Sequence, residues 1–96
     1  MTPDQKAMWQ ASGNFTYVAD IENELRVYDR IDQPFEGDCE DYAFTLKKQI
    51  GGDVWYVLRK EGAHAVLVKN NITYDFLARR SIHRDNYPGK FVFVMN

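Results

Sequence analysis

The sequence predicts an α+β fold in which N-terminal helices, one of them starting at a cysteine, pack on an antiparallel sheet of three or four strands. Three observations carry this reading. A capped amphipathic helix begins near residue 38, turn-punctuated segments rich in Val, Ile, Tyr and Phe follow it, and no repeat, linker or low-complexity tract divides the 96 residues. We read residues 1–96 as a single domain, one core's worth of chain.

The first helix is predicted from Thr2 as cap and Pro3 at its first position, through Lys6, Met8 and Trp9, ending at Ser12, Gly13 and Asn14. Phe15, Tyr17 and Val18 read as a brief extended segment. Residues 21–28 carry the spacing of a second short helix (Ile21, Leu25, Tyr28). Asp38 then caps a helix whose third helical position is Asp41, a relative of the capping box that places Cys39 in the first turn. Cys39, Tyr42, Ala43, Leu46 and Ile50 fall on one face, and Gly51 and Gly52 end it. Strands are expected over 54–59, 63–69, 72–77 and 91–95. The basic segment 79–84 reads as a solvated loop, His83 as a surface residue, and Trp9, Trp55 and Tyr56 as core or cleft-wall side chains.

Composition narrows the function. Fourteen acidic and twelve basic residues give a net charge of −2, too little positive field to hold a nucleic acid backbone. No apolar stretch approaches the roughly 20 residues needed to span a bilayer, and the N-terminus has no secretory pattern, so a cytoplasmic protein is expected. The single cysteine excludes an internal disulfide and a multi-thiolate zinc site.

A lone cysteine on an apolar helix face is ordinarily an inert core residue, so its neighbours decide its meaning. If Asn70 and Asn71 form a two-residue turn, Lys69 pairs with Ile72 and the ladder places His64 and Asp75 on one face, close enough to hydrogen-bond. A three-residue loop would put them on opposite faces. That face also carries Val66, Val68, Thr73 and Leu77, the expected seat of the Cys39 helix. The helix N-terminus and an imidazolium both favour a thiolate, and a carboxylate on the far ring nitrogen fixes the tautomer. The flanking Asp38, Glu40 and Asp41 oppose the thiolate. Asp41 reads as a capping residue, whereas Asp38 and Glu40 are candidate ligands for a hard cation such as calcium, with no cofactor otherwise required.

The strings GDCEDYA (37–43), AHAVL (63–67) and TYD (73–75), with FTYVAD upstream, resemble the bacterial transglutaminase-like cysteine peptidases over roughly residues 12 to 78. The resemblance implies a papain- or transglutaminase-like core and a catalytic triad of Cys39, His64 and Asp75. Some relatives bind calcium through carboxylates matching Asp38 and Glu40. The chain departs from the family in its short N-terminal region and in Phe76, where many relatives carry a polar residue. Such minimal versions look like those of bacteriophages, which would place the protein in the host cytoplasm. Gln33, six residues before the cysteine, matches the oxyanion-hole glutamine of papain-like enzymes, with Trp9 or Tyr17 as alternatives. The expected protein is a monomeric thiol hydrolase acting on amide bonds of protein or peptide substrates. Glutamine deamidation or transamidation, a non-catalytic module binding a host protein, and a virion-associated structural protein are the alternatives.

Overall fold

The computed structural model describes residues 2–19, 24–78 and 80–96, with Arg80 described by its backbone alone. Asp20, Ile21 and Arg79 therefore lie outside the described residues. The element order is α1 (Pro3–Asn14), β1 (Phe15–Tyr17), β2 (Phe35–Gly37), α2 (Cys39–Ile50), β3 (Asp53–Arg59), β4 (Gly62–Lys69), β5 (Ile72–Asp75), β6 (Arg80–His83), a 3-10 turn (Arg84–Asn86) and β7 (Lys90–Val94). The fold is α+β as expected, but its antiparallel sheet has five strands in the order β6-β5-β4-β3-β7, with a separate two-stranded parallel sheet of β1 and β2.

Local chemistry sets the helices. In α1 the Thr2 hydroxyl accepts from the Gln5 N–H while the Gln5 side chain accepts from the Thr2 N–H, a reciprocal cap with Pro3 at the first position. In α2 Asp38 accepts from the N–H groups of Glu40 and Asp41, and the Asp41 carboxylate answers by accepting from the Asp38 N–H at 2.9 Å. Cys39 is the first helical residue.

No helix forms over 24–28. The Arg26 N–H donates to the Asp41 carboxylate at 2.7 Å and the Tyr28 N–H to the Thr45 hydroxyl at 3.0 Å. Asp41 and Thr45, one turn apart on α2, thus draw this segment's backbone donors sideways onto the helix, which its weak apolar spacing does not outweigh. Trp9, expected in the core or on a cleft wall, is outside the core, 71% exposed on an open concavity.

Asn70 and Asn71 form the tight turn, with φ of 52° and 65°, and Lys69 pairs with Ile72 as the register requires. Since alanine pays for the left-handed region where asparagine tolerates it, Asn71→Ala should lower stability by about 1 kcal/mol and Asn71→Gly should not, measurable by urea denaturation.

Two apolar layers flank the sheet. On one face Tyr42, Ala43 and Leu46 of α2 pack with Met8 and Ala11 of α1 against Val54, Ala65, Leu67 and Tyr74. On the other, Val57, Val66 and Val68 are covered by Tyr87, with Trp55, Ile82 and Phe91 packed around them. The seat of the Cys39 helix is therefore the Ala65–Leu67–Tyr74 face, and the expected seat of Val66, Val68, Thr73 and Leu77 is corrected. Both faces of β4 are apolar, so alternation alone does not choose which one the helix covers. Leu77 lies beyond the end of β5 and is 55% exposed.

The segment expected to be a basic loop holds β6, which pairs Ile72 with His83 and Tyr74 with Ser81. His83 is exposed, as expected, and caps the following turn by accepting from the Asp85 N–H.

Candidate functional site

Asp38 closes β2's approach to α2 and so fixes where the helix starts. Gly37 is required immediately before it, because a Cβ there would stand 2.5 Å from the Asp41 Cβ and 2.7 Å from its Cγ. The strand passes directly against the capping carboxylate, and Cys39 follows at a defined point on the helix end. It is partly buried, packed against the helix-side core.

His64 comes from β4. Paired strands cover β4's β5 edge only from Leu67 to Lys69, so the stretch carrying His64 runs past the end of that ladder. By alternation His64 belongs with Val66 and Val68, on the face away from α2. Its ring nonetheless has neighbours on both sides. It lies 5.6 Å from the Phe76 ring, which packs on the helix-side core, and it hydrogen-bonds Asp75, which faces Tyr87 on the other. Cys39 and His64 line one small cavity of about 70 Å³ together with Glu40, Tyr56, Ala63, Ala65 and Met95.

Asp75 is 1% exposed and is the site's anchor. One carboxylate oxygen pairs with His64 Nε2 at 2.7 Å and accepts the Leu77 N–H at 3.0 Å. The other accepts the Tyr87 hydroxyl at 2.6 Å and Arg59 at 2.8 Å. Burial alone would raise its pKa, but these donors overcome it and hold the carboxyl below its ordinary range.

Burial likewise disfavours the imidazolium of His64. The hydrogen bond to Asp75 and then the neighbouring Cys39 thiol outweigh it and lift the ring from 6.5 to about 9. With Nε2 engaged by Asp75, Nδ1 is the nitrogen left to face the thiol. The sequence-derived residues Cys39, His64 and Asp75 are thus brought together in the expected order.

Other expected residues fall elsewhere. Gln33 is exposed in the bend before β2 and does not line the cavity. Trp9 lies on a separate open concavity along α1, beside Gln10 and Ser12. Tyr17 stacks on Phe76 at 5.6 Å, one ring removed from His64. Asp38 is occupied as a helix cap, Glu40 lines the cavity, and among the described residues no group of three or more His, Cys, Asp or Glu side chains is arranged to hold a metal ion.

Tyr87 and Arg59 are the partners of Asp75 that sequence reasoning missed. Arg59 also hydrogen-bonds the Tyr87 hydroxyl and lies over its ring at 5.5 Å, so the two form one clamp on Asp75. Neither sits in a recognisable motif, although Arg59, the last residue of β3 and immediately before the β3–β4 turn, lies at the same end of the sheet as His64. Among the described residues no helix is long and apolar enough to cross a membrane. In comparisons with known proteins, no family model and no curated protein matches this chain.

Proposed function

We propose that the protein is a thiol-dependent amide hydrolase of the transglutaminase-like type, working through Cys39, His64 and Asp75. The observation that carries this reading is the buried His64–Asp75 pair, whose imidazole shares one small cavity with the Cys39 thiol. In this mechanism the Cys39 sulfur attacks the amide carbonyl and forms a tetrahedral oxyanion. His64, held as imidazolium by Asp75, then gives its proton to the leaving amine as the carbon–nitrogen bond breaks. Water, deprotonated by the now neutral His64, attacks the thioester and returns free Cys39. The N–H of Cys39 is the proposed oxyanion donor, since the cap's hydrogen bonds fall on the next two residues, Glu40 and Asp41.

A cavity of about 70 Å³ is small beside the 300–1,000 Å³ of ordinary small-molecule pockets. That size supports a macromolecular substrate laid across the surface, with only the reacting group entering. A glutamine side chain meets the same requirement, and release of ammonia rather than a new amino terminus distinguishes deamidation from peptide cleavage.

The test is alkylation of the folded protein by iodoacetamide across pH, comparing wild type with His64→Ala. We expect rapid labelling of Cys39 near neutral pH and a rate at least about tenfold lower in the variant. Equal, slow labelling in both proteins would overturn the proposal.

A further inference from the structure

Helix α2 covers the sheet only in part. On the same face, past Cys39 and Glu40, β3 and β7 present an apolar surface that no described element covers. Tyr56 pairs with Ala65 of the helix-side core, which places Tyr56, and Leu58 two residues on, on that face. Phe93 pairs with Tyr56 and stacks on it at 4.8 Å with rings 9° from parallel, yet remains 51% exposed. Leu58, opposite the cavity-lining Ala63, is 44% exposed. Tyr56, Ala63 and Met95 themselves line the cavity that holds Cys39 and His64. The shelf is therefore continuous with the reacting thiol.

We infer that this shelf, formed by Tyr56, Leu58, Phe93 and Met95, is a substrate subsite that selects a polypeptide bearing an aromatic or large aliphatic side chain close to the attacked carbonyl. The inference rests on the thiol-hydrolase reading above and supplies its substrate class. Two things fix the occupant. The cavity itself is too small to enclose a large side chain, so specificity has to come from surface beside it. The nearest such surface is ring-lined and half exposed, suited to stacking a ring or seating a branched aliphatic group. Glu40 on the cavity wall works against an acidic side chain at the same place.

The experiment measures second-order inactivation of the full-length protein by epoxysuccinyl amides carrying Phe, Leu, Ala or Asp on either side of the reactive ring. The Cys39 sulfur forms a bond to one epoxide carbon, that carbon–oxygen bond breaks, and the resulting alkoxide takes a proton from His64. Modification is read by intact mass, with iodoacetamide as a reagent that carries no side chain.

The Phe and Leu reagents should react on the order of tenfold or more faster than the Ala reagent in at least one orientation, and the Asp reagent slowest. In Phe93→Ser and in Leu58→Ser, both at exposed positions, that preference should shrink severalfold while the iodoacetamide rate holds. A His64-dependent iodoacetamide reaction without side-chain preference in either orientation would overturn the subsite and leave the hydrolase reading standing. Failure of the His64 dependence itself would overturn the hydrolase reading instead. Concentration-dependent dimerisation of the wild type that Phe93→Ser abolishes would overturn the subsite by assigning the shelf to a second copy of the chain.

Discussion

Asp75→Ala is expected to cost about 3–5 kcal/mol of folding stability and to slow Cys39 alkylation at neutral pH about as much as His64→Ala does. The carboxylate is 1% exposed and takes four donors, from His64, Leu77, Tyr87 and Arg59. Truncation leaves the donors without their acceptor, and a buried group robbed of its partner loses more than the net worth of the bond. The arginine, only 17% exposed at its side chain, loses its buried counter-ion and keeps the exposed Glu61 at 3.4 Å. Asp75→Asn separates structure from chemistry. It keeps the volume and one acceptor but points an amide donor at another donor, so it should retain more stability than alanine and still lose the imidazolium's support. Urea denaturation and iodoacetamide kinetics on the two variants check both parts. Stability within about 1 kcal/mol of wild type in Asp75→Ala would show that the clamp is not an anchor.

The dependence on Tyr87 and Arg59 explains what the sequence did and did not disclose. The His64–Asp75 pairing was legible because each step is local, whereas the meeting with Cys39 was argued from a helix seat on the opposite face of the sheet. Asp38 and Asp41 announce the start of α2, two asparagines set the turn, and a period of two carries the register from Lys69–Ile72 back to His64 and Asp75. Its supports were not legible, because Tyr87 reaches Asp75 only after β6 and the 3-10 turn have brought the chain back over the sheet. The face that α2 covers was equally hidden. Residues 64–68 are buried on both sides of β4, so the side carrying Val66 and the side carrying Leu67 look alike in sequence.

Short elements escaped for a different reason. β2 spans three residues and β6 four, lengths at which alternation carries almost no signal, and β6 begins in a basic stretch that composition assigns to solvent. The absent helix over 24–28 shows the opposite failure. An apolar spacing was present, but side chains of α2 claim the backbone donors a helix would need. Asp41 was read as a cap and is one. Its second role, accepting the Arg26 N–H while 2% exposed, depends on a tertiary contact that no local pattern encodes.

Folding stability should fall as the pH rises from about 6 to 10, and the fall should disappear in His64→Ala. His64 is 8% exposed and titrates at about 9 in the fold against an ordinary 6.5. Because the folded value is the higher one, the native state binds the proton more tightly than the unfolded chain. The stabilisation is therefore complete below about pH 6.5 and is lost as the pH climbs through about 9. At roughly 1.4 kcal/mol for each pH unit separating the two values, the loss amounts to about 3 kcal/mol. Asp75 imposes the opposite limit. Its folded value is depressed, so its contribution is present above the ordinary carboxylate range near pH 4 and is lost as the pH falls through the lowered value. The two together place the stability plateau between about pH 5 and 6.5. Urea denaturation at fixed temperature across that range measures it, and Cys39→Ala should reduce the alkaline loss without abolishing it, because the thiol supplies the smaller share of the ring's support and Asp75 the larger. A wild-type profile flat from pH 6 to 10 would mean that the ring is not held as imidazolium, and the proton for the leaving amine would have to come from the Cys39 thiol as the sulfur attacks.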